Sequence, residues 1–388
     1  MGVYLDHAAT TPMLPEAIDA YAQAMAQVGN PSSIHAAGQS AKRRLEEARE
    51  AIAETLGCDP IEVVFTSGGT EAVNLALKGM FWAAESARLV VAEGEHHATI
   101  DTVDWLVAHE GASVSWVGLS PEGVIDADAW AAALAAEPHG PAALASALWV
   151  NNEVGAIEPV PELAAAASAA GVPFHVDAVA AYGHVPIDFR GLGAAALSVS
   201  AHKIGGPVGI GALVLSRTAR VVPLQHGGGQ QRNVRSGTQD VAAAVSFAAA
   251  ARASVAALDA ERARLAALRD RLIAGVAVAV PEARLSGPAG EARVASNAHF
   301  TFPGAQGDSL LFLLDAAGVA VSTGSACQAG IPEPSHVLLA MGRTPAEASA
   351  CLRITLGRTS TDADVDAFLA ALPGAYERAA RAGLTTSA

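Results

Sequence analysis

The stretch that decides the fold of this 388-residue chain reads Ser198-Val199-Ser200-Ala201-His202-Lys203-Ile204-Gly205-Gly206-Pro207 and follows an apolar strand. A lysine beside two glycines, directly after a serine and a histidine, is poorly explained as a solvated residue. Lysine amines form Schiff bases with carbonyl cofactors when burial and neighbouring cations lower their pKa. Ser200 and His202 could then hold a phosphate. The alternative interpretation is an ordinary lysine on a surface loop.

Short apolar runs alternate with Ala-rich helical stretches on both sides of this motif. Strands are predicted at 62–66, 89–92, 114–117, 145–150, 173–176, 196–200 and 211–215, and helices at 33–56, 70–84, 98–109, 127–136 and 161–170. This order predicts an α/β fold with a mainly parallel sheet covered by helices on both faces. Ligands of such sheets bind at the carboxyl ends of the strands.

The pattern changes in the last third of the chain. Residues 239–279 read as one long Ala-rich helix that carries charges, and beyond Pro281 the sequence becomes a Gly/Pro-punctuated mixture of strands and helices. We therefore expect a large domain at 14–258 and a smaller α+β C-terminal domain at 259–388, which residues 1–13 join.

Two further motifs lie at predicted strand ends. Phe65-Thr66-Ser67-Gly68-Gly69-Thr70-Glu71 joins a strand to a helix start, where bare N–H groups and the helix dipole suit a phosphate; a well-capped structural turn is the alternative. Asp177 ends a buried strand, so its carboxylate needs a partner. That partner is either a structural N–H group or the ring nitrogen of pyridoxal phosphate, which an acidic residue prepares as an electron sink.

Composition excludes several classes of protein. The net charge is −15, and the Lys42-Arg43-Arg44 triplet lies on a mixed-charge helix, so we expect no nucleic-acid partner. We find no run of about 18 apolar residues and no signal peptide, so we expect no membrane span and no export. The three cysteines are odd in number and lack zinc-type spacing, which favours a reducing cytoplasm and predicts no metal site.

The sequence resembles the class V, fold-type I pyridoxal-phosphate enzymes, and among them the cysteine desulfurases of the NifS/IscS kind. The similarity runs almost end to end in ten ordered motifs: YLDHAATTP at the start, GNPSSIH at 29–35, FTSGGTEAVNLALKG at 65–79, EGEHHA at 93–98, NNEVGAIEP at 151–159, HVDA at 175–178, SAHKIGGPVGIGAL at 200–213, HGGGQQRNVRSGT at 226–238, STGSACQAGIPEPSHVL at 322–338 and LRITLGRTST at 352–361.

The resemblance implies a role in binding pyridoxal 5′-phosphate for each of a set of residues. Lys203 would carry the cofactor and move the Cα proton, His96 would stack on the ring and help proton transfer, and Asp177 would pair with the ring nitrogen. Asn152 would lie near the phenolic oxygen and the substrate carboxylate. The phosphate would be held by Gly69, Thr70, Ser200 and His202, and by Thr238 from the neighbouring subunit, which implies a homodimer. His97 can be a structural helix-start histidine.

The resemblance also implies the reaction. Arg353 would receive the α-carboxylate of L-cysteine, and Cys327 would take its sulfur as a persulfide, leaving L-alanine. Cys327 lies in a stretch of small residues typical of an accessible loop, whereas Cys58 and Cys351 fit structural roles. The length of the surrounding loop suits delivery of sulfur to an acceptor or iron–sulfur scaffold protein.

One position departs from the family pattern. Ala180 stands where similar enzymes have a glutamine that hydrogen-bonds the phenolic oxygen of the cofactor, which leaves the rate and the substrate preference open. The alternatives are a selenocysteine lyase, another C–S lyase or a class V aminotransferase. A sulfur-scaffold binding protein with a degenerate site is a further alternative.

Overall fold

The computed structural model describes residues 2–136, 141–324 and 333–386, with side chains up to residue 381. Twelve strands lie in these ranges: β1 (Val3–Tyr4), β2 (Val63–Thr66), β3 (Arg88–Ala92), β4 (Ser113–Val117), β5 (Ala142–Leu148), β6 (Phe174–Asp177), β7 (Ala196–Ser200), β8 (Gly211–Leu215), β9 (Arg284–Ser286), β10 (Asn297–Thr301), β11 (Val319–Ala320) and β12 (Cys351–Thr355).

The same ranges contain thirteen α-helices. They are α1 (Pro15–Met25), α2 (Ala36–Leu56), α3 (Gly69–Ala83), α4 (His97–Glu110), α5 (Ala127–Ala135), α6 (Val160–Ala169), α7 (Phe189–Leu192), α8 (Val241–Ala256), α9 (Leu258–Ala279), α10 (Gly307–Ala316), α11 (His336–Ala340), α12 (Pro345–Ser349) and α13 (Asp362–Thr386).

Seven strands form the central sheet in the order β2-β8-β7-β6-β5-β3-β4. Only β8 runs antiparallel to its neighbours, and the pairs from β7 to β4 are parallel. The strands β2, β3 and β5 to β8 are buried at every position, as expected for a sheet that helices cover on both faces. The predicted α/β fold with a mainly parallel sheet is confirmed.

Two apolar layers enclose this sheet. On one face Ile52, Trp130 and Phe247 belong to a core that α1, α2, α5, α6 and α8 complete, and on the other Leu77 and Leu106 belong to the layer of α3 and α4. These layers fix the carboxyl ends of β5, β6 and β7 relative to one another, so residues just after these strands have a rigid support.

The prediction of one continuous helix over 239–279 is wrong. The chain forms α8 and α9, which are bent by 68° at a break at Ala257. The two helices pack on different partners. Helix α8 lies against α1 and α2, which cover the central sheet, whereas α9 lies against α13 and β10. In the described ranges, no single helix is both long and apolar enough to cross a membrane.

A second, smaller layer follows α9. Strands β12, β10 and β9 form an antiparallel sheet, and β1 pairs with β11 beside it. Leu5, near the N-terminus, belongs to the same apolar cluster as Leu272, Phe300 and Phe368. We propose on this basis the division into a domain at 14–258 and a domain at 259–388 with residues 1–13.

Candidate active site

Lys203 lies at the carboxyl edge of the central sheet. Strand β7 ends at Ser200, and the chain turns at once through a short 3-10 helix, Ala201–Lys203. The Nζ atom of Lys203 donates hydrogen bonds to the carbonyl oxygens of Ala8 and Ala9, the latter at 3.0 Å. The amine therefore contacts the N-terminal segment, which an ordinary lysine on a surface loop would not do.

A cavity of about 190 Å³ opens beside Lys203. Its walls include Asn152, Ala180 and His184. Ala180 contributes a methyl group that can neither donate nor accept a hydrogen bond. His184, which the sequence did not single out, has its pKa lowered to about 4, first by burial and then by the charges of His7 and Lys203. His184 is therefore a neutral imidazole at neutral pH.

Asp177 is the last residue of β6 and is buried. Its Oδ1 atom accepts the backbone N–H of Val179 at 2.9 Å, and the described residues give its Oδ2 atom no hydrogen bond. Burial raises the pKa of this carboxyl to about 6, while the Val179 N–H and the charge of Lys203 act in the opposite direction. One oxygen is thus occupied by a structural N–H group and the other is available for a ligand.

Two further buried carboxyls interact electrostatically with Asp177 or with one another, and the sequence analysis missed both. Glu95 is fully buried and its Oε1 atom accepts the N–H of Leu148 at 2.7 Å; burial, then the charge of Asp177, raises its pKa to about 8. Burial likewise raises the pKa of Glu158 to about 8. Both of these pKa values lie above that of Asp177, on which the charge of Lys203 acts in the lowering direction.

His96 is the N-cap residue of α4. Its Nδ1 atom accepts the backbone N–H of Ala98 at 3.0 Å. A neutral imidazole that accepts at Nδ1 carries its proton at Nε2, so the helix cap fixes the tautomer. Burial, followed by the charge of Lys203, lowers the pKa of His96 to about 4. His97, in contrast, is 3.3 Å from Asp101 Oδ1 through its own Nδ1 atom, within α4.

The two predicted phosphate motifs meet in the structure. A Cβ atom on Gly69 would lie 2.7 Å from Val179 Cγ2 and 3.6 Å from Ser200 Cβ, so glycine lets the start of α3 pack closely on Val179 beside the end of β7. The Ser200 hydroxyl is buried and has no hydrogen-bond partner among the described residues. Such an unsatisfied group is costly, and a bound phosphate oxygen would satisfy it.

The remaining predicted phosphate ligands lie in more open surroundings. Thr70 is an exposed residue in the first turn of α3. The Nδ1 atom of His202 is 3.2 Å from Thr10 Oγ1, and burial, followed by the charge of Lys203, lowers its pKa to about 4. Thr238 is exposed in this single chain.

Arg353, on β12, connects the smaller sheet to the N-terminal segment. Its Nη1 atom donates to the carbonyl oxygen of Asn152 at 2.9 Å, and its Nη2 atom donates to Asp6 Oδ1 at 2.8 Å. The Nε atom is buried and has no partner in the described part of the chain. No local sequence pattern links Asp6 with Arg353, because the two residues are 347 positions apart in the chain.

Cys327 falls outside the described residues. The other two thiols are buried, and burial raises the pKa of Cys58 to about 12 and also raises that of Cys351. The Cys351 thiol donates to the carbonyl oxygens of Thr323 and Ala348. Since the thiolate is the nucleophile, neither residue is suited to take up sulfur.

Comparisons with known proteins identify the family of the chain. Residues 3–368 match the sequence model of the family described as aminotransferase class-V. The chain is 53% identical to an IscS-like cysteine desulfurase of Mycobacterium tuberculosis, with 99% of this chain and 98% of the relative covered. It is 38% identical to the cysteine desulfurase IscS of Dictyoglomus turgidum, at 97% and 95% coverage.

Among solved structures, a NifS-like protein superimposes with a TM-score of 0.89 at 31% identity, covering 97% of this chain and all of the other. The resemblance drawn from the ten motifs is thereby confirmed. The chain belongs to the class-V aminotransferase family of pyridoxal-phosphate-dependent enzymes, and within it to the group of the IscS and NifS cysteine desulfurases.

Proposed function

We propose that this protein is a cysteine desulfurase that converts L-cysteine to L-alanine and moves the sulfur to Cys327 and on to an acceptor. The observation that carries the proposal is the convergence of Lys203, Asp177 and the unsatisfied Ser200 hydroxyl at one edge of the sheet. An amine, a carboxylate and a phosphate site are the three groups that pyridoxal phosphate requires.

The residues present fit that cofactor. Ser200 would bind the phosphate together with Gly69, Thr70 and His202, and Thr238 of a second subunit would contribute to the same site. Asp177 would keep the ring nitrogen protonated through its unoccupied oxygen, His96 would stack on the ring, and Asn152 would lie near the phenolic oxygen. When bound, the cofactor supplies an electron sink for the Cα carbon of the amino acid.

The chain's own residues divide the remaining work. Arg353 binds the α-carboxylate of L-cysteine and fixes its orientation, since the buried Nε–H of this guanidinium is unpaired. Lys203 removes the proton from Cα and later returns one. His96 keeps its only proton at Nε2, because Nδ1 accepts from the helix.

The sulfur step balances as a transfer between two thiols. The Cys327 thiolate attacks the substrate sulfur, the bond from that sulfur to the substrate Cβ breaks, and an S–S bond forms on the enzyme. The substrate Cβ gains a proton and becomes the methyl group of L-alanine, which leaves. The persulfide then passes its outer sulfur to an acceptor, for which we propose a sulfur-acceptor or iron–sulfur scaffold protein. We also propose a homodimer in the cytoplasm.

The test is to incubate the protein with L-cysteine and a reductant and to measure sulfide and alanine. Equal amounts of both are expected. Pyruvate would indicate another C–S lyase, and a requirement for an amino-group acceptor would indicate an aminotransferase. Borohydride reduction should fix pyridoxyl on Lys203, and mass spectrometry should find one extra sulfur on Cys327 after exposure to L-cysteine. A Cys58→Ser variant is the matched control and should behave as the wild type.

A further inference from the structure

Glu153 is a buried carboxylate that the mechanism does not use. It follows Asn151 and Asn152 in the turn after β5. Its backbone is fixed on both sides, because its N–H donates to Asn151 Oδ1 at 2.9 Å and its carbonyl oxygen accepts from Asn297 Nδ2 at 2.9 Å. The side chain therefore has a set position, next to the residue whose carbonyl oxygen binds Arg353.

The Glu153 carboxylate binds the segment that begins at Ser335. The Ser335 hydroxyl donates to Glu153 Oε2 at 2.5 Å and accepts the N–H of Leu338 at 3.1 Å, so one hydroxyl both binds the carboxylate and caps α11. The next residue, His336, places its Nδ1 atom 3.9 Å from Glu153 Oε1. Ser335 itself is fully buried.

His336 also contacts the two residues that flank His96 in sequence. Its Nε2 atom is 2.8 Å from the carbonyl oxygen of Glu95, and because a carbonyl only accepts, Nε2 carries the proton. Its ring also meets the ring of His97 edge-on, with centroids 4.9 Å apart. Glu95 and His97 are the two neighbours of His96 in sequence.

The same carboxylate lies beside Gly324. A Cβ atom on Gly324 would lie 3.4 Å from Glu153 Oε2 and 3.5 Å from His299 Nε2. The N–H of Gly324 donates to Ser322 Oγ at 3.1 Å, and Ser322 exchanges backbone hydrogen bonds with Arg353. Glu153 thus binds the chain at Ser335 and lies beside it at Gly324, and the eleven positions from 324 to 334 that lead to Ser335 include Cys327.

The position of Gly324 beside Glu153 matters because Cys327 is close to Gly324 in the chain. Cys327 follows Gly324 by three positions, so the length of the chain limits the distance between their two Cα atoms to about 11 Å. Positioning errors of about 1 Å can change a rate by about a hundredfold. A carboxylate that binds one end of this stretch and lies beside the other can therefore influence where the Cys327 thiol reaches.

We propose that Glu153, Ser335 and His336 form a clasp that positions the Cys327 segment for attack on the substrate sulfur. The clasp consists of positioning residues and takes no part in binding the cofactor or in moving the Cα proton. This inference rests on the proposed desulfurase function and names positioning residues for its sulfur-transfer step.

The test separates sulfur transfer from chemistry at Cα in the same sample. Turnover is measured as alanine formed from L-cysteine, and Cα chemistry as exchange of the Cα hydrogen of L-alanine in deuterated water, which needs no thiol. In Ser335→Ala we expect turnover to fall at least about tenfold, as a misplaced reacting group implies, while exchange and cofactor absorption stay within about twofold. Ser335→Thr retains the hydroxyl and should restore turnover.

Thr344→Ala is the matched control. Thr344 caps α12 through its hydroxyl as Ser335 caps α11, but it is exposed and has no contact with Glu153 among the described residues. We expect this variant to keep full turnover. If Ser335→Ala does not retain cofactor, His336→Ala replaces it with the same expectation.

Three results would overturn the clasp: turnover of Ser335→Ala within about twofold of the wild type, turnover and exchange that fall by the same factor, or an equal loss in Thr344→Ala. A wild type that exchanges the Cα hydrogen of L-alanine but forms no alanine from L-cysteine would refute the desulfurase function instead.

Discussion

Replacing Arg353 by lysine should weaken binding of L-cysteine through its carboxylate. The guanidinium holds the Asn152 carbonyl oxygen with Nη1 and the Asp6 carboxylate with Nη2, and its Nε–H is buried and unpaired. A substrate carboxylate can therefore take a fork made of Nε and the second hydrogen of Nη2. A lysine has three N–H donors in all, and two of them would be needed to keep Asn152 and Asp6.

The magnitude follows from the donor that is lost. Arg353→Lys leaves one hydrogen bond to the substrate carboxylate where two are available now. A hydrogen bond to a charged group contributes about 1.5–3 kcal/mol, which corresponds to a rise of about 10- to 150-fold in the Kd for L-cysteine. Because the carboxylate does not react, kcat should change much less than KM. The folded state should change little in stability, since Asp6 keeps a cation.

The assay compares L-cysteine with cysteamine, which has the same amine and thiol but no carboxylate. The Kd of each is measured from the change in cofactor absorption, and KM for L-cysteine from alanine formation. Arg284→Lys is the control, because Arg284 also lies in the small sheet and pairs with a carboxylate, at its exposed edge. A Kd for L-cysteine within about twofold of the wild type, or an equal loss for cysteamine, would show that Arg353 does not bind the carboxylate.

Three further outcomes test separate parts of the structure. Cys327→Ser should keep the cofactor absorption band and lose cysteine turnover. Alkylation of the native protein should label Cys327 but not the buried thiols of Cys58 and Cys351. Labelling of either buried thiol would contradict its raised pKa. Ser200→Ala removes an unsatisfied buried hydroxyl, so the free energy of unfolding of the cofactor-free protein should rise by about 1 kcal/mol while affinity for pyridoxal 5′-phosphate falls about tenfold; two changes of the same sign would be inconsistent with a phosphate ligand. Burial raises the pKa of Glu158 from 4.5 to about 8, so the folded protein keeps a proton that the unfolded chain releases, and this contribution to stability is complete below pH 4.5 and is lost as the pH rises toward 8. The change in the free energy of unfolding caused by Glu158→Gln should therefore be more favourable at pH 7 than at pH 4, by up to about 3 kcal/mol. Chemical denaturation of both proteins at both pH values measures this difference.

The seven strands of the central sheet could be predicted from the sequence because each contains a short, mainly apolar run bounded by turn residues. Parallel strands buried on both faces leave this signature whatever their order. The strand order itself left no such signature, and neither did the bend at Ala257. Both α8 and α9 are Ala-rich, so the helical period continues through the break, and only the separate packing of α8 on α2 and of α9 on α13 determines the bend.

The candidate site shows the same limit. Lys203 and Asp177 could be predicted because each follows a strand of one parallel sheet, and the carboxyl ends of such strands share an edge. The contact of Arg353 with Asp6 could not, since it joins the two ends of the chain. Glu153 carried a signal in the NNEVG motif, but its contact with Ser335 spans 182 residues and depends on how the smaller sheet sits against the large one.

The protonation states around Lys203 decide which group moves the proton at Cα. His96, His184 and His202 each have a pKa lowered to about 4, with burial as the main cause and the charge of Lys203 as a further one. All three imidazoles are therefore uncharged at neutral pH and carry no positive charge beside Lys203. Asp177 faces the site with one oxygen already occupied by the Val179 N–H, which suits it to hold a ligand proton in place. Because an imidazole of such a low pKa is a weak base, we propose that the amine of Lys203 moves the proton at Cα. A Lys203→Ala variant should then bind L-alanine yet exchange its Cα hydrogen only when an external amine is added.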